Sequence, residues 1–226
     1  HMRAIRVTEF SDSTNTMELV DVAKPEPGEG EVLIDVQAAG INFADIMQRR
    51  GDYNGGPEAP YMAGLEVAGL VEAVGDGVGR TKGQRVVAMV GEAGYAEYAL
   101  GDAVSLLDIP EGMSFTEAAG FPVQFLTAHN CLHEWGGLEK GEQVLIHAAA
   151  GGVGTAAVQI ASEAGARVIG TASTQKKLDK AVELGCDVPI NYANEDFVTR
   201  VNEETDYGVD LVLDGIGGET TEKSVE

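Results

Sequence analysis

The sequence is poor in cysteine and in basic residues. Its two cysteines, Cys131 and Cys186, lie far apart among 226 residues, which excludes a disulfide framework and a cysteine-rich zinc site. Lys and Arg number 15 against 37 Asp and Glu, and the net charge of −22 opposes non-specific binding to nucleic acid or anionic membranes. No apolar run reaches the length of about 18 residues that a membrane span needs, and no secretory leader is recognisable. We therefore expect a cytoplasmic protein whose partners include neither nucleic acid nor membrane.

The excess of acidic residues also bears on the environment of the protein. Surface carboxylates keep a protein soluble at high salt, where ions screen their mutual repulsion. The composition favours a halophilic protein, and an ordinary acidic cytosolic protein is the alternative.

The first half of the chain is rich in β-branched residues and in turns marked by glycine. Turn sequences such as KPEPGEGE and GDGVGRTKG separate segments in which apolar and polar residues nearly alternate. These segments are RAIRVTEF, MELVDV, EVLIDVQAAGI, EVAGLVEAVG and QRVVAMV. The pattern predicts a β-rich domain over residues 1–122, built as a partly open barrel.

The second half changes to alternating strands and helices. Ser114 and Glu117 form a capping box that starts a helix, Pro122 interrupts this helix, and a further helical pattern runs to about Trp135. Four predicted strands with helices between them follow: QVLIHAAA, ARVIGTAS, DVPINY and VDLVLDGI. Such alternation predicts a parallel sheet in a Rossmann-type α/β domain over residues 123–226. Because a complete dinucleotide fold has six parallel strands, we expect the chain to be truncated after four.

The stretch AAAGGVG follows the first of these strands and opens a helix. Glycine turns in this context bind a dinucleotide pyrophosphate, because the helix N-terminus offers free N–H groups and the positive end of its dipole. We predict a cofactor site at Gly151, Gly152, Val153 and Gly154, where Gly151 admits the pyrophosphate and Gly154 lets the helix pack closely on the strand. Ala149 replaces the first glycine of the usual pattern, at a position that forms the turn. A tight turn without a ligand is the alternative.

The residues after the second strand indicate which nicotinamide cofactor binds. An NAD site needs an acid about 20 residues past the glycines, yet no acid occurs between Glu163 and Asp179. Ser173 and Lys177 instead offer a donor and positive charge to a 2′-phosphate, and three of the seven lysines crowd at this helix start. We predict NADP(H), with a solvated lysine-rich helix face as the alternative.

With these features together, the chain resembles the medium-chain dehydrogenase/reductase superfamily, and within it the zinc-free quinone oxidoreductases related to zeta-crystallin. Several stretches carry the resemblance, in order and at family spacing: VLIDVQAAGINFADIMQRRGDY, PYMAGLEVAGLVEAVGDGVG, GQRVVAMV, LTAHNCL, HAAAGGVGTAAVQIA and VDLVLDGIGG. The resemblance implies an N-terminal GroES-like β-barrel followed by a Rossmann domain, with the active site in the cleft between them. It also implies a homodimer for the full-length protein.

Seen through this resemblance, the zinc ligands of the related alcohol dehydrogenases are missing. Asn42 stands where their first cysteine ligand falls, Leu65 stands where their histidine falls, and FPVQFLTAH lacks their third, cysteine ligand. Without thiolates or imidazoles no tetrahedral site forms, so we expect no metal. Ala44 replaces the Ser or Thr of the alcohol proton relay.

The histidines carry weaker signals. His129 and His133 lie four residues apart on a predicted helix, without a carboxylate or cysteine to complete an obvious metal set. We expect their imidazole rings to be exposed to solvent or hydrogen-bonded in the core. His147 lies in a predicted buried strand, where we expect a hydrogen bond in the core rather than catalysis.

The resemblance also implies which residues lie near the cofactor and the acceptor. Asn42 and Tyr53 are the candidate catalytic residues: Asn42 hydrogen-bonds the cofactor or a substrate carbonyl, and Tyr53 donates a proton or lines the pocket. Asn42, Thr127, Tyr192 and Gly215 are candidate cofactor contacts. As alternatives, Asn42 only caps a helix or closes a turn, and Tyr53 is a loop aromatic.

The absence of zinc ligands narrows the expected reaction. Without zinc there is no Lewis acid to polarise an alcohol or aldehyde oxygen. We expect hydride transfer from NADPH to an already electron-poor acceptor, a quinone or an activated enone. A zinc-free enoyl-thioester reductase and a non-catalytic, crystallin-like NADPH-binding protein are the alternatives.

Overall fold

The structure is a computed structural model that describes residues 1–225. The chain divides into two compact units, His1–Val123 and Gln124–Glu226. None of the helices within residues 1–225 is long and apolar enough to cross a membrane.

The first unit consists mainly of short antiparallel strands. Its strands are β1 (Met2–Val7), β2 (Met17–Val22), β3 (Glu31–Ala39), β4 (Tyr61–Met62), β5 (Glu66–Val74), β6 (Arg85–Met89), β7 (Tyr98–Asp102) and β8 (Leu107–Asp108). Its helices are α1 (Phe43–Arg50) and α2 (Phe115–Ala119), a 3-10 turn covers Thr14–Thr16, and α3 (Pro122–His129) begins at its end. The strands form two sheets, of order β2-β1-β4 and β7-β3-β5-β6-β8.

Alternation along the strands places one face of the five-stranded sheet in a core. Val32 and Ile34 of β3 are buried in one cluster with Val67 and Val71 of β5 and Val86 of β6. Full burial of such side chains contributes about 1.5–3 kcal/mol each. Two register shifts in the pairing of β3 with β5 bend this sheet, as a partly open barrel requires.

The second unit alternates strands with helices. After α3 come a π-helical segment (Asn130–Trp135), β9 (Gln143–Ile146), α4 (Gly152–Glu163), β10 (Arg167–Ala172), α5 (Gln175–Glu183), β11 (Val188–Asn191), α6 (Phe197–Glu204), β12 (Leu211–Leu213) and α7 (Glu219–Ser224). The strands pair in parallel, in the order β11-β10-β9-β12. Counted from β9, this is the 3-2-1-4 order with which a dinucleotide-binding fold begins.

Both faces of the parallel sheet are covered. Ile146 of β9 lies in one buried cluster with Ala157 of α4, and its neighbour Leu145 lies in another with Ile169 and Val201. Successive apolar residues of β9 therefore pack on opposite faces of the sheet, as expected for a strand inside a parallel sheet.

The predicted fold class, a β-rich part followed by a parallel α/β part with four strands, is confirmed. The sequence did not single out β4, β7 or β8, and two-residue strands such as β4 and β8 are too short to show alternation. A helix capped by Asn42 was the alternative to a catalytic role, and α1 is that helix. Pro122 begins α3 rather than only interrupting a helix, because the first helical position needs no N–H group.

Several basic side chains pair with carboxylates. Arg200 lies 3.1, 3.1 and 3.2 Å from carboxylate oxygens of Glu195, Glu203 and Glu204. Exposed ion pairs of this kind contribute little individually. The unpaired excess of carboxylates repels itself in the folded state.

We expect KCl to raise the urea midpoint of unfolding. Most of the rise should come below about 1 M salt, where the Debye length has already shrunk to about 3 Å. Urea denaturation at 0.05, 0.2, 0.5, 1 and 2 M KCl measures it. A midpoint that is flat below 1 M and rises only above it would show a general salt effect on apolar burial instead of charge screening.

Candidate functional site

The turn after β9 lies where the order of the parallel sheet reverses. β10 lies on one side of β9 and β12 on the other, and ligands of open α/β sheets bind at the carboxyl ends of such strands. The turn is tied to both neighbours: the N–H of His147 donates to the Leu213 carbonyl (3.0 Å), and that of Ala149 donates to the Thr171 carbonyl (2.9 Å). The predicted glycine turn therefore stands at the switch point of the sheet.

The turn covers residues 147–150, so Ala149 lies in it as the sequence predicted, and the backbone is unusual at Ala148. Its φ is +51°, in the left-handed region that favours glycine. Ala149 is also fully buried, in a core cluster with Ala157 of α4. Gly170 of β10 leaves room for the Ala149 methyl group, since a Cβ on Gly170 would lie only 2.9 Å from it.

The N-terminus of α4 offers free backbone donors at this turn. Gly151 is the N-cap, and the N–H groups of Gly152, Val153 and Gly154 donate to no acceptor within residues 1–225. Gly154 is buried, and a Cβ there would lie 2.1 Å from the Ala148 carbonyl oxygen. Only glycine lets the helix approach the turn so closely. The resulting cradle of N–H groups suits a phosphate.

Ser173, Lys177 and Tyr192 lie near the adjacent carboxyl ends of β10 and β11. Ser173 directly follows β10, Tyr192 directly follows β11, and the N–H of Tyr192 donates to the Ala172 carbonyl (3.2 Å). Thr174 caps α5 by accepting the N–H of Lys177 at 3.4 Å, and the Lys177 side chain is exposed. The second unit thus brings these three predicted residues to one edge of the sheet.

A cavity of about 280 Å³ opens in the second unit, and His147, Thr171, Tyr192 and Ile216 are among its lining residues. His147 Nδ1 lies 3.0 Å from Thr171 Oγ1, and its Nε2 lies 2.9 Å from Ser224 Oγ. Burial lowers the pKa of His147, which favours the neutral ring, while Asp214 opposes this shift. The expected core hydrogen bond of His147 is present.

Thr127 and Gly215 are exposed. Thr127 lies on α3, and Gly215 lies two residues after β12. Near the start of α3, the side chain of Gln124 lies against the glycine turn, since a Cβ on Gly152 would be 2.9 Å from Gln124 Cδ. Gln124 is a neighbour of the candidate cofactor site that the sequence did not reveal.

Asn42 is held in the first unit by a buried carboxylate. It is the N-cap residue of α1, and its Nδ2 donates to Glu66 Oε1 at 2.7 Å. The other oxygen, Glu66 Oε2, accepts the N–H of Val123 at 2.8 Å. Glu66 begins β5 and is fully buried. Burial raises the pKa of its carboxyl, while the Val123 N–H and the Asn42 amide oppose the rise.

Asp45 holds Asn42 from the helix side. Its Oδ2 accepts the backbone N–H of Asn42 at 2.8 Å, which caps the first turn of α1. Burial raises the pKa of Asp45, and the hydrogen bond from Asn42 opposes the rise. Backbone and side chain of Asn42 are therefore each fixed by a different carboxylate.

Tyr53 lies apart from Asn42. It is in the loop after α1, 42% exposed, and lines a surface hollow of about 380 Å³ together with Phe10 and Gln48. Asn42, at the other end of α1, does not line this hollow. Within the first unit, the structure does not bring the two predicted catalytic residues into one cavity.

The residues at the compared zinc positions do not suit zinc. The amide of Asn42 is engaged with Glu66, and Leu65 has no donor atom in its side chain. Within residues 1–225 no group of three or more His, Cys, Asp and Glu side chains could hold a metal ion. The rings of His129 and His133 lie 4.9 Å apart, centroid to centroid.

Glu66 is the site residue that sequence reasoning missed. A signal exists, because it is an acid at the head of the apolar run EVAGLV, and a fully buried carboxylate needs partners. Its partners are distant in sequence, 24 residues away at Asn42 and 57 away at Val123. No local pattern could name them.

Two family models match the chain. The alcohol dehydrogenase GroES-like domain matches residues 28–128, and the zinc-binding dehydrogenase family matches residues 152–226. Each match falls largely within one of the two structural units.

Three similar proteins illustrate the relationship. The human synaptic vesicle membrane protein VAT-1 homolog is 41% identical over 203 residues, which is 89% of this chain and 51% of that protein. The quinone oxidoreductase of Lama guanicoe is 38% identical over 216 residues, 94% of this chain and 66% of that protein. The structure of Escherichia coli quinone oxidoreductase complexed with NADPH has a TM-score of 0.90 and 35% identity, covering 100% of this chain and 69% of that one. The chain thus spans about half the length of the human relative.

The close approach at Gly154 predicts the effect of a single methyl group. Gly154→Ala should lower the free energy of unfolding by about 1–3 kcal/mol, because the Cβ overlaps the Ala148 carbonyl. Gly215→Ala is the control, since its Cβ meets no atom within 4 Å, and its effect should stay within about 0.5 kcal/mol. Urea denaturation measures both. Stabilisation by Gly154→Ala, as in an open helix interior, would contradict the approach.

The buried carboxyl of Glu66 predicts a pH dependence of stability. Its pKa is raised in the folded state, so the folded protein keeps a proton that the unfolded chain has released. Its contribution to stability should therefore fall as pH rises from the ordinary glutamate value through the raised pKa. The free energy of unfolding of the unmodified protein minus that of Glu66→Gln, measured from pH 5 to 8, reports the contribution of the Glu66 carboxyl. If the unmodified protein instead became more stable relative to Glu66→Gln as pH rises, the direction of the pKa shift would be refuted.

Proposed function

Because the chain belongs to the medium-chain dehydrogenase/reductase superfamily, we propose that it is an NADPH-dependent reductase that transfers hydride to a quinone or activated enone without zinc. The quinone oxidoreductase of Lama guanicoe and the NADPH complex of the Escherichia coli enzyme support this proposal. Residues 1–122 are then the catalytic domain and residues 123–226 the NADP(H)-binding domain. A cytoplasmic location and a homodimer of the full-length protein are parts of the same proposal.

The observation that carries the proposal is the open N-terminus of α4 at the switch point of the sheet. The pyrophosphate of the cofactor is negatively charged, and the N–H groups of Gly152, Val153 and Gly154 have no other acceptor within residues 1–225. Gly151 precedes them without a side chain that would block the approach. Thr127 and Gly215 are assigned further contacts with the cofactor.

The proposed preference for NADPH over NADH depends on residues that would contact the 2′-phosphate of the adenosine ribose. Ser173, Lys177 and Tyr192 lie near the adjacent ends of β10 and β11, where the ribose of a dinucleotide binds. No acid lies between Glu163 and Asp179 to hold a free ribose hydroxyl pair or to repel a phosphate. Lys177 supplies positive charge at the first turn of α5, and the hydroxyls of Ser173 and Tyr192 supply donors.

The bound cofactor supplies the hydride, and the protein binds, orients and excludes water. In this proposal Asn42 hydrogen-bonds a group near the nicotinamide, and Tyr53 lines the acceptor side or donates a proton. Neither Asn42 nor Leu65 suits zinc, so the acceptor must be electron-poor by itself. A quinone or activated enone meets this requirement.

The choice of cofactor is tested by titrating the protein with NADPH and with NADH. NADPH should bind at least about tenfold more tightly, which corresponds to about 1.4 kcal/mol. Lys177→Ala should remove most of this preference. Lys180→Ala is the matched control, because it removes one charge from the same helix while its ammonium pairs with Glu183 at 3.1 Å. Equal binding of both cofactors, or equal losses in both variants, would contradict the assignment of Lys177.

Turnover separates the proposed enzyme from its alternatives. Loss of NADPH absorbance with a quinone present supports a quinone reductase, and a higher rate with an enoyl thioester supports an enoyl-thioester reductase. NADPH binding without turnover of either acceptor supports a non-catalytic binding protein.

A further inference from the structure

Helix α3 belongs to the second unit from Gln124 onward, and it packs on the same core as α4. Ala128 of α3 is fully buried in one cluster with Ala149 of the glycine turn and Ala157 of α4. Gln124 lies four residues before Ala128, and residues with this spacing share one face of a helix. The packing of Ala128 therefore also fixes where the Gln124 side chain lies.

The carboxamide of Gln124 lies beside Gly152, the first residue of α4. A Cβ on Gly152 would lie 2.9 Å from Gln124 Cδ, 3.1 Å from Nε2 and 3.2 Å from Oε1, so the missing side chain leaves the space that the carboxamide occupies. Within residues 1–225 the Gln124 side chain has no hydrogen-bond partner, and neither of its polar atoms is fully buried. An accessible amide NH₂ group therefore lies next to the backbone N–H groups at the start of α4.

We propose that Gln124 is a further contact of the cofactor, and that its side-chain NH₂ donates to the pyrophosphate bound at the start of α4. This inference rests on the proposed function, under which that pyrophosphate is part of NADPH. An ionised phosphate oxygen only accepts hydrogen bonds, so Gln124 turns Nε2 rather than Oε1 toward the ligand. Gln124 thus adds a side-chain donor to a cradle of backbone N–H groups.

Charge at position 124 separates contact with a phosphate from a purely structural role. A positive charge beside the pyrophosphate attracts it and a negative charge repels it, whereas either change would impair a side chain that only packs. Gln124→Lys should therefore tighten NADPH binding by about threefold, and Gln124→Glu should weaken it by at least about tenfold. Gln124→Leu, which removes the donor without adding charge, should weaken it by about fivefold.

Gln159→Lys and Gln159→Glu are the matched controls, because they make the same charge changes within α4. Gln159 Nε2 donates to the Thr155 carbonyl at 3.0 Å, about 10 Å along the helix from its start. In 0.2 M KCl the Debye length is below about 8 Å, so both controls should change NADPH affinity by less than about twofold. Cofactor fluorescence measures affinity, and urea denaturation confirms that each variant is folded.

A second measurement reports the Gln124 amide directly. Its side-chain NH₂ signals in ¹H–¹⁵N NMR spectra are assigned by their absence in Gln124→Glu, and those of Gln159 by their absence in Gln159→Glu. On addition of NADPH, the Gln124 signals should shift, because the NH₂ group gains an anionic acceptor. The Gln159 signals should stay in place. The same spectra are recorded with inorganic pyrophosphate.

The outcomes separate this inference from the proposed function. Tighter binding by Gln124→Lys together with weaker binding by Gln124→Glu supports the contact. If the unmodified protein binds NADPH but both folded variants lose affinity alike, or neither changes, the contact is overturned and the proposed cofactor stands. If the unmodified protein binds pyrophosphate but not NADPH, the proposed function fails, and a shift of the Gln124 signals with pyrophosphate, or its lack, decides the contact. Binding of neither ligand would overturn both.

Discussion

The close packing of α4 on the turn that follows β9 is the constraint on which the candidate cofactor site depends. The helix can start there only because Gly154 leaves no Cβ against the Ala148 carbonyl oxygen, 2.1 Å from where one would stand. The same turn is tied to β10 through Ala149 and to β12 through His147. The strand order reverses at β9. The turn therefore holds the free N–H groups of α4 at the carboxyl edge of the sheet, where dinucleotides bind in folds of this type.

Much of this arrangement could be predicted from local sequence. Strand, glycine turn and helix follow one another within about two dozen residues, and their periods differ clearly. The positive φ of Ala148 could not be predicted, because an alanine in this conformation leaves no mark in the sequence. The pairing of Asn42 with Glu66 was beyond reach for a different reason: 24 residues separate them, and only the antiparallel sheet brings β5 to the start of α1.

The Asn42–Glu66 pair also shows how a buried carboxylate is held in place by protein groups. A metal ion would neutralise and orient the groups around it. Here a fully buried carboxylate is satisfied by one side-chain amide and one backbone N–H instead. Removing either donor would leave a buried charge short of a partner, which is costly. The pair is therefore constrained together, and Gly40 is constrained with it.

The net charge of −22 opposes the anionic cofactor of the proposed function. At low salt the whole protein repels a phosphate-rich ligand over a Debye length of about 10 Å or more. Contacts at hydrogen-bond distance are much shorter than this, so salt would weaken the long-range repulsion more than the proposed contacts with Lys177 and the α4 N–H groups. Under the proposed function, a few local donors bind the cofactor against this repulsion, and rising salt weakens the repulsion before it also screens the contacts themselves.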